Sequence, residues 1–268
     1  MSILEALLYG AVQGLTEYLP VSSSAHLALL PKFLGTRDPG LSFDVFLHLG
    51  TLAATLIYFR REWVALFSSI RSADGRQGGW NVVFATLPAL AVGGIFRHQI
   101  EDSLRGAHLI AGTLIVGGIL LYLVDRAARG ARGLAEVAPR DAWGVGFFQC
   151  LALVPGMSRS GSTILGGRAM GLSREAAARF SFFISAPITA AAAANELRHW
   201  DELVASVSQV SALGSQAQAL LVLAAGAVSA FAFGWLAISG LIRLVSRIGF
   251  GVFAVYRVAL GVAVLYWL

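Results

Sequence analysis

Apolar residues run along this chain in long blocks separated by short polar segments. The blocks Phe43–Tyr58, Val82–Phe96, His108–Val124, Ala176–Ala194, Ala217–Ile242 and Phe250–Leu268 each approach the length that crosses a bilayer as a helix. Two further apolar regions, residues 3–35 and 142–172, are interrupted in the middle. The first breaks at Leu19-Pro20 and the second at Val154-Pro155-Gly156. Proline interrupts a helix, and each half is too short to span. The pattern predicts an all-α polytopic membrane protein with six spanning helices and two re-entrant helical hairpins.

The polar segments sort by charge. Arg60, Arg61, Arg71 and Arg76 separate the first two spans; Arg126, Arg129, Arg132 and Arg140 follow the third; Arg243 and Arg247 precede the last. The connection Arg97–Arg105 carries Glu101 and Asp102, and residues 195–215 hold Glu196, Asp201 and Glu202 beside one Arg. The excess of Arg predicts that the first group is cytoplasmic and the second lies outside. Parity then requires residues 142–172 to begin and end in the cytoplasm, as a re-entrant hairpin does. If residues 3–35 re-enter likewise, the N-terminus lies outside; a single span over residues 3–19 would put it inside.

The two halves resemble each other within one membrane domain, residues 1–268, with repeats over about 1–125 and 142–268. Gln13 precedes Pro20 and Ser22-Ser23-Ser24 much as Gln149 precedes Pro155 and Ser158-Arg159-Ser160. Charge bias gives the halves opposite orientations. Broken segments at matching places in inverted halves point to a site near the middle of the membrane.

Composition supports the membrane reading: 57% of residues are hydrophobic, 13% are charged and the mean hydropathy is +0.72. The net charge of +5 is explained by Arg facing anionic headgroups, without nucleic acid. The single cysteine, Cys150, excludes an intramolecular disulfide. The N-terminus carries Glu5 and lacks a basic lead, so its apolar run reads as retained rather than as a cleaved signal. No Walker-type phosphate loop and no zinc-spaced His/Cys cluster occurs.

The chemistry concentrates at the breaks. Arg159 lies among Ser158, Ser160, Gly161 and Thr163, inside an otherwise apolar region. A guanidinium there needs an anionic or strongly polar partner, and Arg with hydroxyls and glycine-freed amides suits phosphate. At the other break, Gln13 and Glu17 share a helix face, and Ser22, Ser23 and His26 follow Pro20. The serines alone read as helix caps. Together with Glu17, His26 and Arg159 they suggest cleavage of a lipid-linked phosphate or diphosphate. Glu17 would hold a divalent cation or act as base; Ser23 or His26 would attack phosphorus, or His26 would activate water. A transporter or flippase of a lipid phosphate or other anion would use similar parts. Asp44 and His48, one turn apart, and Arg257, inside the last span, are secondary candidates. Pairing or headgroup contact suffices for the first two, and a structural counter-ion role for Arg257.

Gln13-x-x-x-Glu17 with Leu19–His26, and Pro155–Thr163, closely resemble the two signature regions of the undecaprenyl-diphosphate phosphatases, bacterial membrane enzymes also called bacitracin-resistance proteins. The resemblance covers essentially the whole chain. It implies hydrolysis of undecaprenyl diphosphate to the monophosphate carrier lipid used in cell-wall synthesis, with bacitracin resistance as a consequence. It also implies stimulation by Mg²⁺ or Ca²⁺, an inner-membrane location and a site facing the periplasm. The expected catalytic set is Glu17, Ser23 as nucleophile, His26 as acid/base and Arg159, with His26 the competing nucleophile. Gln13, Ser22, Ser158, Ser160, Gly161 and Thr163 would bind phosphate. The expected partners are the polyprenyl diphosphate and the bilayer, with a homodimer as candidate assembly. Many members carry Glu where this chain has Gln13, and a neutral amide is a weaker ligand for a hard cation. Glu17 is then the main anionic group for a metal.

Overall fold

The computed structural model describes residues 1–71, 78–96, 106–211 and 214–267. Arg76 and the Arg97–Arg105 connection with Glu101 and Asp102, used in the charge argument, lie outside the described residues. The described chain is helical: α1 Ile3–Tyr18, α2 Ser23–Leu34, α3 Leu41–Tyr58, α4 Arg60–Arg71, α5 Gly78–Ile95, α6 Ala107–Ala127, α7 Pro139–Cys150, α8 Arg159–Ala169, α9 Arg174–Arg198, α10 Trp200–Val210, α11 Gln216–Ile248 and α12 Gly251–Trp267. Short 3₁₀ turns occupy Leu134–Glu136 and Leu151–Leu153.

Five helices, α3, α5, α6, α9 and α11, are long and apolar enough to cross a membrane; α12 is a shorter apolar helix of 17 residues. Three differences from the sequence reading concern the polar connections. Arg60 and Arg61 begin a helix, α4, whose Val64 and Phe67 are exposed. Residues 195–215, expected as a plain connection, contain α10, whose Leu203, Val204 and Val207 are buried. Arg243 and Arg247 lie within α11, which continues to Ile248. Arg favours helix, and its long stem lets the charge reach polar surroundings from a helix end.

Both expected breaks are present. The first falls at residues 19–22 between α1 and α2. The second runs from the 3₁₀ turn at Leu151–Leu153 to Ser158, ahead of α8. The flanking helices have 16, 12, 12 and 11 residues. At 1.5 Å per residue they extend about 17–24 Å, short of a roughly 30 Å hydrocarbon core.

The chain divides into two compact units that do not follow the repeats. One contains Met1–Tyr18, Ser23–Tyr58 and Ala186–Ser239; the other contains Leu19–Ser22, Phe59–Ser185 and Gly240–Leu268. Each unit therefore takes helices from both halves of the sequence.

In the first unit Ala6, Tyr9, Leu27, Phe43, Leu47, Val207 and Val222 belong to one buried cluster. Helix α1 approaches α11 so closely at Gly10 that a Cβ there would collide with the Gly226 carbonyl. Small residues at such crossings allow backbone-to-backbone packing inside a bilayer. Ser229 Oγ adds a hydrogen bond to the Leu7 carbonyl at 2.6 Å.

In the second unit α6 packs along α12 and α5 along α7. Pro88 interrupts the hydrogen-bond ladder of α5, and the Ala85 carbonyl in the preceding turn accepts from Gln149 Nε2 at 2.9 Å. Asp125, buried, binds Arg168 Nε at 3.0 Å, Arg174 Nε at 2.9 Å and the Phe250 amide at 3.2 Å. Arg174, at the start of α9, is thereby held to the same carboxylate as Arg168. Arg132 grips Asp141 through both terminal nitrogens, at 2.7 and 3.1 Å. Burial pushes the Asp141 carboxyl up, but hydrogen bonds from Arg132 and the Ala138 amide prevail and hold it below its ordinary value.

Candidate active site

The two breaks share one backbone device. Among the described residues, the non-glycine positions with positive φ are Ser22, at 75°, and Ser158, at 69°. Each stands immediately before a helix, so Ser23 and Arg159 occupy equivalent first positions of α2 and α8. Left-handed backbone at a non-glycine residue is uncommon and concentrates where surrounding structure enforces it. Each helix start leaves amide hydrogens without intrahelical partners.

At the first break, side chains of the first unit converge on one oxygen. Glu17, in the last turn of α1, is 6% exposed, and Gln13 one turn earlier is fully buried. Glu17 Oε2 accepts from Gln13 Nε2 at 3.1 Å and from Ser23 Oγ at 2.6 Å. His48 Nε2 lies 3.4 Å from the same atom. The i,i+4 spacing places Gln13 beside Glu17. Ser23 reaches Glu17 because the chain reverses at the break. The end of α1 is fixed by the Tyr18 hydroxyl, which bonds the Thr51 carbonyl and lies 2.6 Å from Thr55 Oγ1. His26 is half-buried, one turn beyond Ser23 on α2. Asp44 meets His48 through its backbone: the carbonyl lies 2.9 Å from His48 Nδ1.

The second break, in the other unit, is built from hydroxyls and arginines. Ser158 caps α8 by accepting from the Gly161 amide at 3.1 Å, and its Oγ lies 3.2 Å from Ser160 Oγ. Thr163 Oγ1 bonds the Arg159 carbonyl at 2.8 Å and lies 2.7 Å from Ser181 Oγ. Arg159 is half-buried, and its Nη1 lies 3.4 Å from the Ser181 carbonyl. Gly156 has φ 92°, and a Cβ there would collide with Thr113. Thr113 Oγ1 donates to the Pro155 carbonyl at 2.6 Å. Arg257, 1% exposed, donates from Nη2 to the carbonyls of Met157 at 2.9 Å and Gly156 at 3.1 Å. Among the described residues it has no carboxylate partner.

The tip of the first break belongs to the same unit as this motif: Ser160 Oγ donates to the Leu19 carbonyl at 2.9 Å. The expected phosphate ligands therefore divide. Ser160 and Thr163 are buried with their hydroxyls engaged in holding the motif, while Arg159 stands half-buried at the first position of α8. Sequence reasoning passed over Thr113, Ser181 and the braced position of Gln149. A lone threonine in an apolar span was the available signal for Thr113. It ranked His48 as secondary, although that residue reaches Glu17 directly.

These features define a polytopic helical membrane protein in which a buried carboxylate holds a serine hydroxyl and an Arg-led helix start suits an oxyanion. The model of one family, described as bacitracin resistance protein BacA, matches residues 6–263. The chain belongs to that family. A relative from Gemmatimonas aurantiaca is 48% identical over 98% of this chain and 97% of its own length. Relatives from Desulforudis audaxviator, 42% identical over 99% of this chain and 97% of theirs, and Myxococcus xanthus, 41% over 99% and 89%, are similarly close. All three carry the name undecaprenyl-diphosphatase.

Proposed function

We propose that this protein hydrolyses undecaprenyl diphosphate to undecaprenyl phosphate and inorganic phosphate, returning the carrier lipid to cell-wall synthesis and conferring bacitracin resistance. The observation that carries the mechanism is the 2.6 Å hydrogen bond from Ser23 Oγ to Glu17 Oε2. Ser23 Oγ attacks the terminal phosphorus while its proton passes to Glu17. The anhydride P–O bond breaks, undecaprenyl phosphate leaves with a proton from His26, and phosphate remains on Ser23. Water then attacks the phosphoserine, giving its proton to His26, while the proton on Glu17 returns to Ser23 Oγ. Arg159 and the amides opening α8 have the chemistry to stabilise charge on a phosphoryl group.

The donor set fits a hard divalent cation, Mg²⁺ or Ca²⁺. Glu17 offers a carboxylate, and Gln13 Oε1, buried beside it, has no hydrogen-bond partner. Mg²⁺ is commonly bound by one or two carboxylates together with substrate phosphates, and Ca²⁺ also accepts amide oxygens. Such an ion would neutralise charge on the diphosphate. Gln13 also orients Glu17, and Ser22 shapes the turn that presents Ser23.

In the membrane we read α3, α5, α6, α9, α11 and α12 as the six spans, and α1–α2 and α7–α8 as hairpins that re-enter from opposite faces. The site faces the periplasm of an inner-membrane protein, with the polyprenyl tail in lipid. The inverted halves motivated a transporter alternative, but no specific observation favours it. Phosphate release from undecaprenyl diphosphate by the purified full chain in detergent tests the proposal. Release that requires Ser23 and Arg159 is expected; its absence from wild type at every Mg²⁺ or Ca²⁺ concentration would reject it.

A further inference from the structure

We infer that His48 is a positioning residue for Glu17, an inference that rests on the reading of Glu17 and Ser23 as the attacking pair. His48 is on α3, outside both sequence motifs, yet its Nε2 lies 3.4 Å from the oxygen that accepts from Ser23. The ring is fixed from its other side, with Nδ1 2.9 Å from the Asp44 carbonyl. A carbonyl only accepts, so Nδ1 carries a hydrogen and ties the ring to the backbone of its own helix. A ring anchored in this way restrains a neighbouring carboxylate more firmly than a flexible side chain does.

The geometry gives the ring a task. Glu17 can swing about its side-chain bonds, and only one of its oxygens faces Ser23. Gln13, on the same helix, donates to that oxygen from one turn below. His48 reaches it from a different helix, so the two contacts fix the carboxylate along different directions. Because α3 also receives the Tyr18 hydroxyl at Thr51, the end of α1 and its carboxylate are registered against the same helix. His48 acts through Glu17 in this arrangement.

The test compares His48→Gln, His48→Ala and His48→Glu in the purified full chain, using phosphate release from undecaprenyl diphosphate. Glutamine and glutamate have nearly the same shape, but only the former donates to Glu17 without first taking up a proton. The expected order of kcat is wild type, Gln, Ala, Glu. Alanine should lower kcat about 30-fold with KM changed by less than about twofold, and glutamine should return it to within about fivefold of wild type. Equal rates for the glutamine and glutamate variants, or an alanine variant retaining half of wild-type kcat, would overturn the inference. Ser23→Ala run in parallel separates the two readings. Full activity in that variant rejects the attacking pair itself, whereas an inactive Ser23→Ala beside a fully active His48→Ala rejects only the role of His48.

Discussion

The two breaks use the same backbone and differ in the side chain placed at the critical position. Each has a proline, then a serine with left-handed backbone, then a helix start; the first residue of that helix is Ser23 in one and Arg159 in the other. At the first break three polar groups gather on one carboxylate oxygen. At the second the hydroxyls bond one another and the backbone, leaving a cation at the helix start. The same backbone turn thus presents a serine hydroxyl at one break and a guanidinium at the other. The device that aims the side chain is separable from the chemistry it aims.

The largest effects should come from exchanging those two residues for inert ones. Ser23→Ala and Arg159→Ala should each lower phosphate release by about 10³-fold or more, the first with little change in KM and the second with effects on kcat/KM. Kinetics on the purified variants check this. Arg159→Lys keeps the charge but loses the fork, and should recover only part of the loss.

Arg257 tests whether the second break depends on bracing from below. Replacing it with Met removes the donor to the Gly156 and Met157 carbonyls, which are buried. Each unsatisfied buried acceptor costs about 1–3 kcal/mol, so thermal unfolding in detergent should shift markedly downward, with activity falling as a consequence. A smaller loss is expected for Ser158→Ala, which removes the cap on the Gly161 amide and costs about 1 kcal/mol.

Gln13→Glu sharpens the comparison from the first break. It places a second carboxylate one turn from Glu17 in a buried position, where like charges repel. The variant should unfold at lower temperature without added cation. Mg²⁺ or Ca²⁺ should restore more stability to it than to wild type, as a thermal-shift titration would show.

The broken segments, the long apolar helices and the matching serines were legible because they depend on proline, helix length and local spacing. Gln13 beside Glu17 followed from a helical turn. Other features depended on contacts distant in sequence. His48 reaches Glu17 only once α3 lies against α1, and Arg257 meets Gly156 from about a hundred residues away. Helix α10 was hidden because its buried face is short and its first turn acidic, which in isolation reads as a polar connection. The interleaving of the two units was equally hidden, since repeats in sequence say nothing about which helices share a core.

The smallest predicted effect lies away from both breaks. Asp141 is held below its ordinary value of 3.8 in the folded protein, so its contribution to stability is present above that value and is lost as pH falls through the lower folded value. Asp141→Asn should remove this acid-side dependence from unfolding curves below about pH 4 while leaving the pH dependence of turnover unchanged.

The central claim is that Ser23, held by Glu17, forms the covalent link to phosphate. Its most direct test is to mix purified protein with undecaprenyl diphosphate, quench within the first turnover and locate the phosphate by peptide mass spectrometry. Quenching must be compatible with both phosphoserine and phosphohistidine. The account predicts phosphate on Ser23, absent from Ser23→Ala. Phosphate on His26, or turnover with no phosphoenzyme under conditions that preserve both linkages, would contradict it.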